Sequence, residues 1–153
     1  MSMNVKDIRS ALNDLIQTCK DGQQGFLEAA EQVKDANVKS LFLELSQQRS
    51  KFAGELQQEV MRAGGDPETT GSTAGALHRG WIDFKAKFTG QSDAAVISEA
   101  ERGEDVAVKA YQKAQQEELP GDLRDMIDRQ YKAVLQAHAK VRALEVRTSS
   151  GAA

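Results

Sequence analysis

Three side chains in this 153-residue sequence have the types and placement to do chemistry together. Glu101 and Glu104 are i, i+3 neighbours, so on a helix they share a face; His138 lies on a later segment with its own apolar period. Two carboxylates in one apolar seam repel unless a proton, an arginine or a metal ion lies between them. Together with an imidazole they offer oxygen and nitrogen donors that suit iron, manganese or zinc better than calcium. Helical bundles build di-metal centres from inward-facing Glu and Glu-x-x-His pairs.

That donor set is short of a full di-metal complement. Three residues before His138 stands Leu135 rather than a carboxylate, and the second apolar segment offers Glu44, Gln47 and Gln48 but no histidine. The first segment brings Cys19 and Gly22 to its stripe, flanked by Asp21 and Glu28. A buried polar group costs roughly 1–3 kcal/mol unless it is paired. Cys19, Gln48, Glu101, Glu104, Gln130 and His138, all near mid-length, therefore admit two readings: a hydrogen-bonded core network, or a metal site held by Glu101, Glu104 and His138. The missing ligands favour the network.

Other chemistries are excluded more simply. The single cysteine rules out an intramolecular disulfide framework or a cysteine-based zinc finger, and Cys19 reads as a small buried hydrophobe. No phosphate-cradling glycine loop, HExxH helix or Ser-His-Asp grouping occurs, and His78 falls off the apolar side of its segment. Twenty Lys and Arg against 23 Asp and Glu give a net charge of -3, without the clustered basic face that nucleic acid requires. No apolar run approaches the 18 residues of a membrane span. The stretch Met1–Asp7 is too polar for a signal peptide, so a cytoplasmic protein is expected.

The elements that must position these groups are helices. Two prolines, 5% aromatic residues and abundant Ala, Leu, Gln, Glu and Lys are a helix-forming composition, and apolar residues recur at steps of three and four. A first helix is expected over about residues 4–34, with the stripe Ile8, Leu12, Leu15, Cys19, Gly22, Phe26, Ala29 and Val33 and an Asn4 cap. A second, over about 38–63, carries Leu41, Leu45, Gln48, Phe52, Leu56 and Val60 inward and stops at Gly64-Gly65-Asp66-Pro67. A third, from about 93 to 118, carries Ile97, Glu101, Glu104, Val108 and Tyr111. The fourth begins after Leu119-Pro120-Gly121 and carries Leu123, Ile127, Gln130, Val134, His138 and Val141.

Two short connections, near residues 36 and 120, make helices one and two antiparallel, and likewise three and four. The middle connection is about 27 residues long and contains a short amphipathic helix with Leu77, Trp81, Phe84 and Phe88 on one side. It is long enough to cross the whole bundle and let helices two and three run parallel. The expected fold is thus all-α: a ferritin-like four-helix bundle with one long crossover, forming a single domain over residues 1–148 with a disordered tail at 149–153.

The stretches Leu12–Gly22, Gly25-Phe26, Leu77-His78-Arg79-Gly80-Trp81, Glu99–Asp105 and the late His138 together resemble a bacterial family of small ferritin-like four-helix-bundle proteins of unknown function. The resemblance implies this fold, a bacterial cytoplasmic setting and an association with stress, but no substrate or reaction. More distantly, Glu101, Glu104 and Tyr111 resemble the Glu-x-x-Glu and following Tyr of rubrerythrin-type di-iron proteins. The first-helix Glu and Tyr of those proteins fall on Cys19 and Phe26, and their fourth-helix Glu-x-x-His on Leu135 and His138, so two carboxylates are absent. The expected protein is a non-catalytic bundle with a structural or partner-binding role; the alternative is a metal-binding protein with a degenerate di-iron-type site. Self-association through an exposed face into a homo-oligomer is expected as well.

Overall fold

A computed structural model describes residues 4–65 and 92–150, with side chains as far as Arg147. Within them lie four helices: α1 (Val5–Gln32), α2 (Ala36–Arg62), α3 (Asp93–Gln115) and α4 (Gly121–Ser150). The expected crossover helix with His78 and Trp81, and the last residues of the tail, lie outside the described residues.

Local chemistry sets the helix ends. The Asn4 side chain accepts from the Asp7 N–H at 2.8 Å, satisfying one of the donors that a helix start leaves free. Asp35 does the same for α2, accepting from the Asn37 and Val38 N–H groups, so that helix begins at Ala36, two residues earlier than its apolar period suggests. Ser92 caps α3 through the Ala95 N–H. At the far end of α2, Gly64 takes φ +79°, a left-handed turn that glycine adopts without steric cost, and Arg9 of α1 donates to its carbonyl at 3.1 Å.

Cross-helix contacts define the topology. The Phe26 and Phe42 rings lie 5.7 Å apart and Ser46 donates to the Gln23 carbonyl at 2.8 Å, which runs α2 back along α1. Gln112 reaches Tyr131 and Gln115 reaches Asp128, so α4 runs back along α3. Asp93 at the start of α3 accepts from the Lys34 and Asp35 N–H groups in the α1–α2 turn, at 2.8 and 2.9 Å. Helices α2 and α3 therefore start at the same level and run parallel, the one-crossover arrangement expected from the connection lengths.

The core has two apolar ends. One packs Leu12, Leu15, Ile16, Phe52, Leu56, Val60, Tyr111 and Ile127; the other packs Phe26, Phe42, Val96, Ile97 and Val141. Each such side chain contributes roughly 1.5–3 kcal/mol when fully removed from water. Between the two ends lie buried Gly22, Arg49, Gly103 and Glu104.

Candidate functional site

Among the described residues Arg49 is the largest fully buried side chain that carries a charge. It is 1% exposed, and its partner Glu104 is 0% exposed. Nη2 donates to Glu104 Oε2 at 2.7 Å, and Nη1 stands 2.6 Å from Oε1, off the line of a good hydrogen bond. The guanidinium carbon lies 5.4 Å from the centre of the Phe26 ring, within cation–π range, and Nε donates to Gln48 at 3.3 Å. Burial opposes the charge on Arg49, but the adjoining carboxylate outweighs it and raises its pKa, so the guanidinium stays charged. Gly22 on α1 makes the space: a Cβ there would stand 3.2 Å from Nη1.

A second buried group of polar side chains ties all four helices together. Gln130 on α4 donates through Nε2 to Glu55 on α2 at 2.9 Å and accepts from the Tyr111 hydroxyl of α3 at 2.7 Å. The Tyr111 oxygen is 3.2 Å from the Cys19 sulfur on α1. With the Tyr111 proton directed at Gln130, the thiol is left to donate to the phenol. Arg129 closes the far end on Glu55 at 3.1 Å, where the chain reaches solvent. Burial pushes the Cys19 thiol up to about 11, partly opposed by its bond to Tyr111, and raises Tyr111 well above its ordinary value. Both groups stay protonated at neutral pH, so Cys19 is not a thiolate nucleophile.

The three sequence-predicted ligands are held apart by different partners. Glu104 is enclosed with Arg49. Glu101 turns to α4, where it hydrogen-bonds Glu145 and lies 3.5 Å from Arg142; that neighbouring carboxyl raises its pKa. His138 pairs through Nε2 with Asp105 at 2.7 Å, at the margin of the bundle, with side-chain exposures of 20% and 54%. Among the described residues no group of three or more His, Cys, Asp or Glu side chains is arranged to hold a metal ion. As a ligand set for a resident di-metal centre these residues do not fit: Glu104 already has its cation, and the other two face outward partners.

The reason is a small rotation of each stripe. On α3 the buried positions include Ile97, Ala100, Gly103, Glu104, Ala107 and Tyr111, whereas Glu101 and Val108 stand at the border. On α4 it is Ala137 that is buried and His138 that is half-turned out. Small residues pack helices closely and define the inward direction, yet weigh little in an apolar period. On α2 the same rotation buries Phe42 and Arg49 in place of Leu41 and Gln48. Sequence reasoning missed Arg49 because a charged residue reads as surface. The signal was its spacing, seven after Phe42, four after Leu45 and seven before Leu56.

A four-helix bundle with α2 and α3 parallel, joined by one long crossover, has the ferritin-like fold. More particularly, the chain belongs to the family described as Domain of unknown function (DUF2383), whose profile matches residues 7–117. No curated protein matches the sequence. Among solved structures it is similar to a point mutant of Mycobacterium smegmatis Dps1 (TM-score 0.77, 16% identity, 92% of this chain and 96% of that one). It is also similar to a dodecameric thioferritin, the bacterioferritin-related protein of Bacteroides fragilis (TM-score 0.76, 12% identity, 97% and 90%). At these identities the likeness concerns the fold. Among the described residues no helix is long and apolar enough to cross a membrane.

Proposed function

We propose that this protein is a ferritin-like bundle that works through its folded surface, in a structural or partner-binding role, and not through redox turnover at a resident metal centre. The observation that carries this reading is the Arg49–Glu104 pair: the most deeply buried carboxylate already has a fixed cation. The buried Cys19–Tyr111–Gln130–Glu55 chain supports it, because its groups satisfy one another and stay protonated or paired. A cytoplasmic, stress-associated setting and assembly into a homo-oligomer belong to the same proposal, the latter in keeping with the dodecameric similar structure.

The test is iron turnover by the native protein. Metal-replete protein is expected to show no oxygen- or peroxide-dependent oxidation of ferrous iron above a protein-free control, and a chelator is expected to leave Tm unchanged, since a lost native-state ligand would lower it by mass action. Sustained turnover overturns the reading.

One observation favours a second reading. Glu101, Asp105, His138 and Glu145 lie along the same α3–α4 seam, so metal uptake there would require both the Glu101–Glu145 hydrogen bond and the His138–Asp105 pair to open. Metal bound near one equivalent, and lost in His138→Gln, would establish it.

A further inference from the structure

We infer that Glu104, Phe26 and Gly22 form a binding slot specific for a guanidinium group, and that Arg49 is its built-in ligand. The inference deepens the proposed function, resting on it in one respect: Glu104 is already engaged inside the bundle.

The slot is defined on three sides. Glu104 presents both carboxylate oxygens to the two terminal nitrogens of Arg49, at 2.7 and 2.6 Å. A planar fork sets one nitrogen beside each oxygen, Nη2 in a hydrogen bond and Nη1 in charge contact, whereas an ammonium is a point charge and cannot reproduce that span. The Phe26 ring, 5.4 Å from the guanidinium carbon, offers the aromatic face that a flat, weakly hydrated cation prefers. Gly22 leaves room where any other residue would place a Cβ 3.2 Å from Nη1 of Arg49, tighter than an ordinary contact. A strongly hydrated divalent ion would find one carboxylate and an aromatic face, with no cluster of three His, Cys, Asp or Glu groups among the described residues to replace its water. The slot thus selects for shape as well as charge.

Two experiments on the full-length chain decide it. In Arg49→Ala the carboxylate and the space remain, so low-millimolar guanidinium or methylguanidinium is expected to raise Tm. Ammonium, sodium, zinc and manganese at matched ionic strength are not, and Arg49→Ala/Glu104→Gln is expected to lose the response. Rescue by a divalent metal instead of guanidinium, or by no cation, overturns the inference. Should Arg49→Ala not fold, Gly22→Ala decides the matter. In the native background it is expected to lower Tm despite the better helix propensity of alanine. In the charge-free Arg49→Met/Glu104→Gln background, where Nη1 is gone, it is expected to raise Tm. A rise in both backgrounds shows that Gly22 does not shape the slot. These readouts concern cation occupancy and fit, while iron turnover by the native protein tests the function, so either can fail without the other.

Discussion

Tyr111 donates to the side-chain oxygen of Gln130 across 2.7 Å in a seam where both residues are fully buried. The amide is held in that orientation because its nitrogen donates to Glu55. One hydroxyl therefore satisfies the Cys19 thiol on one side and an amide oxygen on the other, which joins α1, α3 and α4. Deleting it in Tyr111→Phe removes the partner of two buried atoms, the Cys19 sulfur and the Gln130 side-chain oxygen. The expected loss is about 1–3 kcal/mol of unfolding free energy, read from urea melts, whereas Tyr131→Phe, which keeps the half-buried ring and gives up only a solvent-exposed bond from Gln112, should cost less than about 1 kcal/mol.

The Arg49–Glu104 pair should behave as a unit. Glu104→Gln leaves a guanidinium buried without its counter-ion and is expected to cost about 3–5 kcal/mol. Arg49→Met together with Glu104→Gln removes both charges and should cost much less than the sum of the single changes. A double-mutant cycle measured by chemical denaturation checks this; additive single effects would show that the two charges are not coupled.

Cys19 carries a pH dependence with a definite sign. Its thiol ionises near the ordinary 9.0 in the unfolded chain and at about 11 in the fold. Above pH 9 the unfolded chain loses a proton that the fold retains. Stability is thus full below pH 9 and falls as pH rises towards 11, with Tyr111 acting in the same direction. Urea melts between pH 8 and 10.5 should show a shallower decline in Cys19→Ala. In native conditions at pH 8 the thiol should resist alkylation until the chain unfolds.

At the seam between α3 and α4, Glu101 has a raised pKa because Glu145 hydrogen-bonds it. A carboxyl raised in the fold stabilises fully below its unfolded value, ordinarily 4.5, and that stabilisation fades as pH rises through the folded value. Once that proton is lost the two side chains meet as like charges, eased by Arg142. Glu145→Gln keeps a hydrogen-bond donor without requiring a shared proton, and is expected to stabilise the protein by about 0.5 kcal/mol at pH 7. At pH 4 the gain should vanish; a gain equal at both values would mean that no proton is shared.

Much of this was legible in the chain itself. Asn4, Ser92 and Gly64 mark helix ends through local backbone chemistry that the sequence alone suffices to place, whereas the Asp35 cap starts α2 two residues before its apolar period does. The four stripes and the connection lengths likewise specify an all-α bundle with α2 parallel to α3, because long amphipathic helices can hide their apolar faces only against each other. The presence of a mid-length polar layer also followed from Cys19, Glu104 and Gln130 standing on apolar stripes.

Which polar groups meet was decided in three dimensions. Glu101 and His138 have nearly the spacing of inward residues, but close packing at Ala100, Ala107 and Ala137 turns each helix enough to send them to the margin. Arg49 and Glu104 are 55 residues apart and become partners only when α2 and α3 run parallel on opposite corners of the bundle and reach each other across its interior. A helical period tells which way a side chain points relative to its own axis to within part of a turn. The identity of its neighbour depends on the rotation and depth of a second axis, and those follow from how the whole interior fills space.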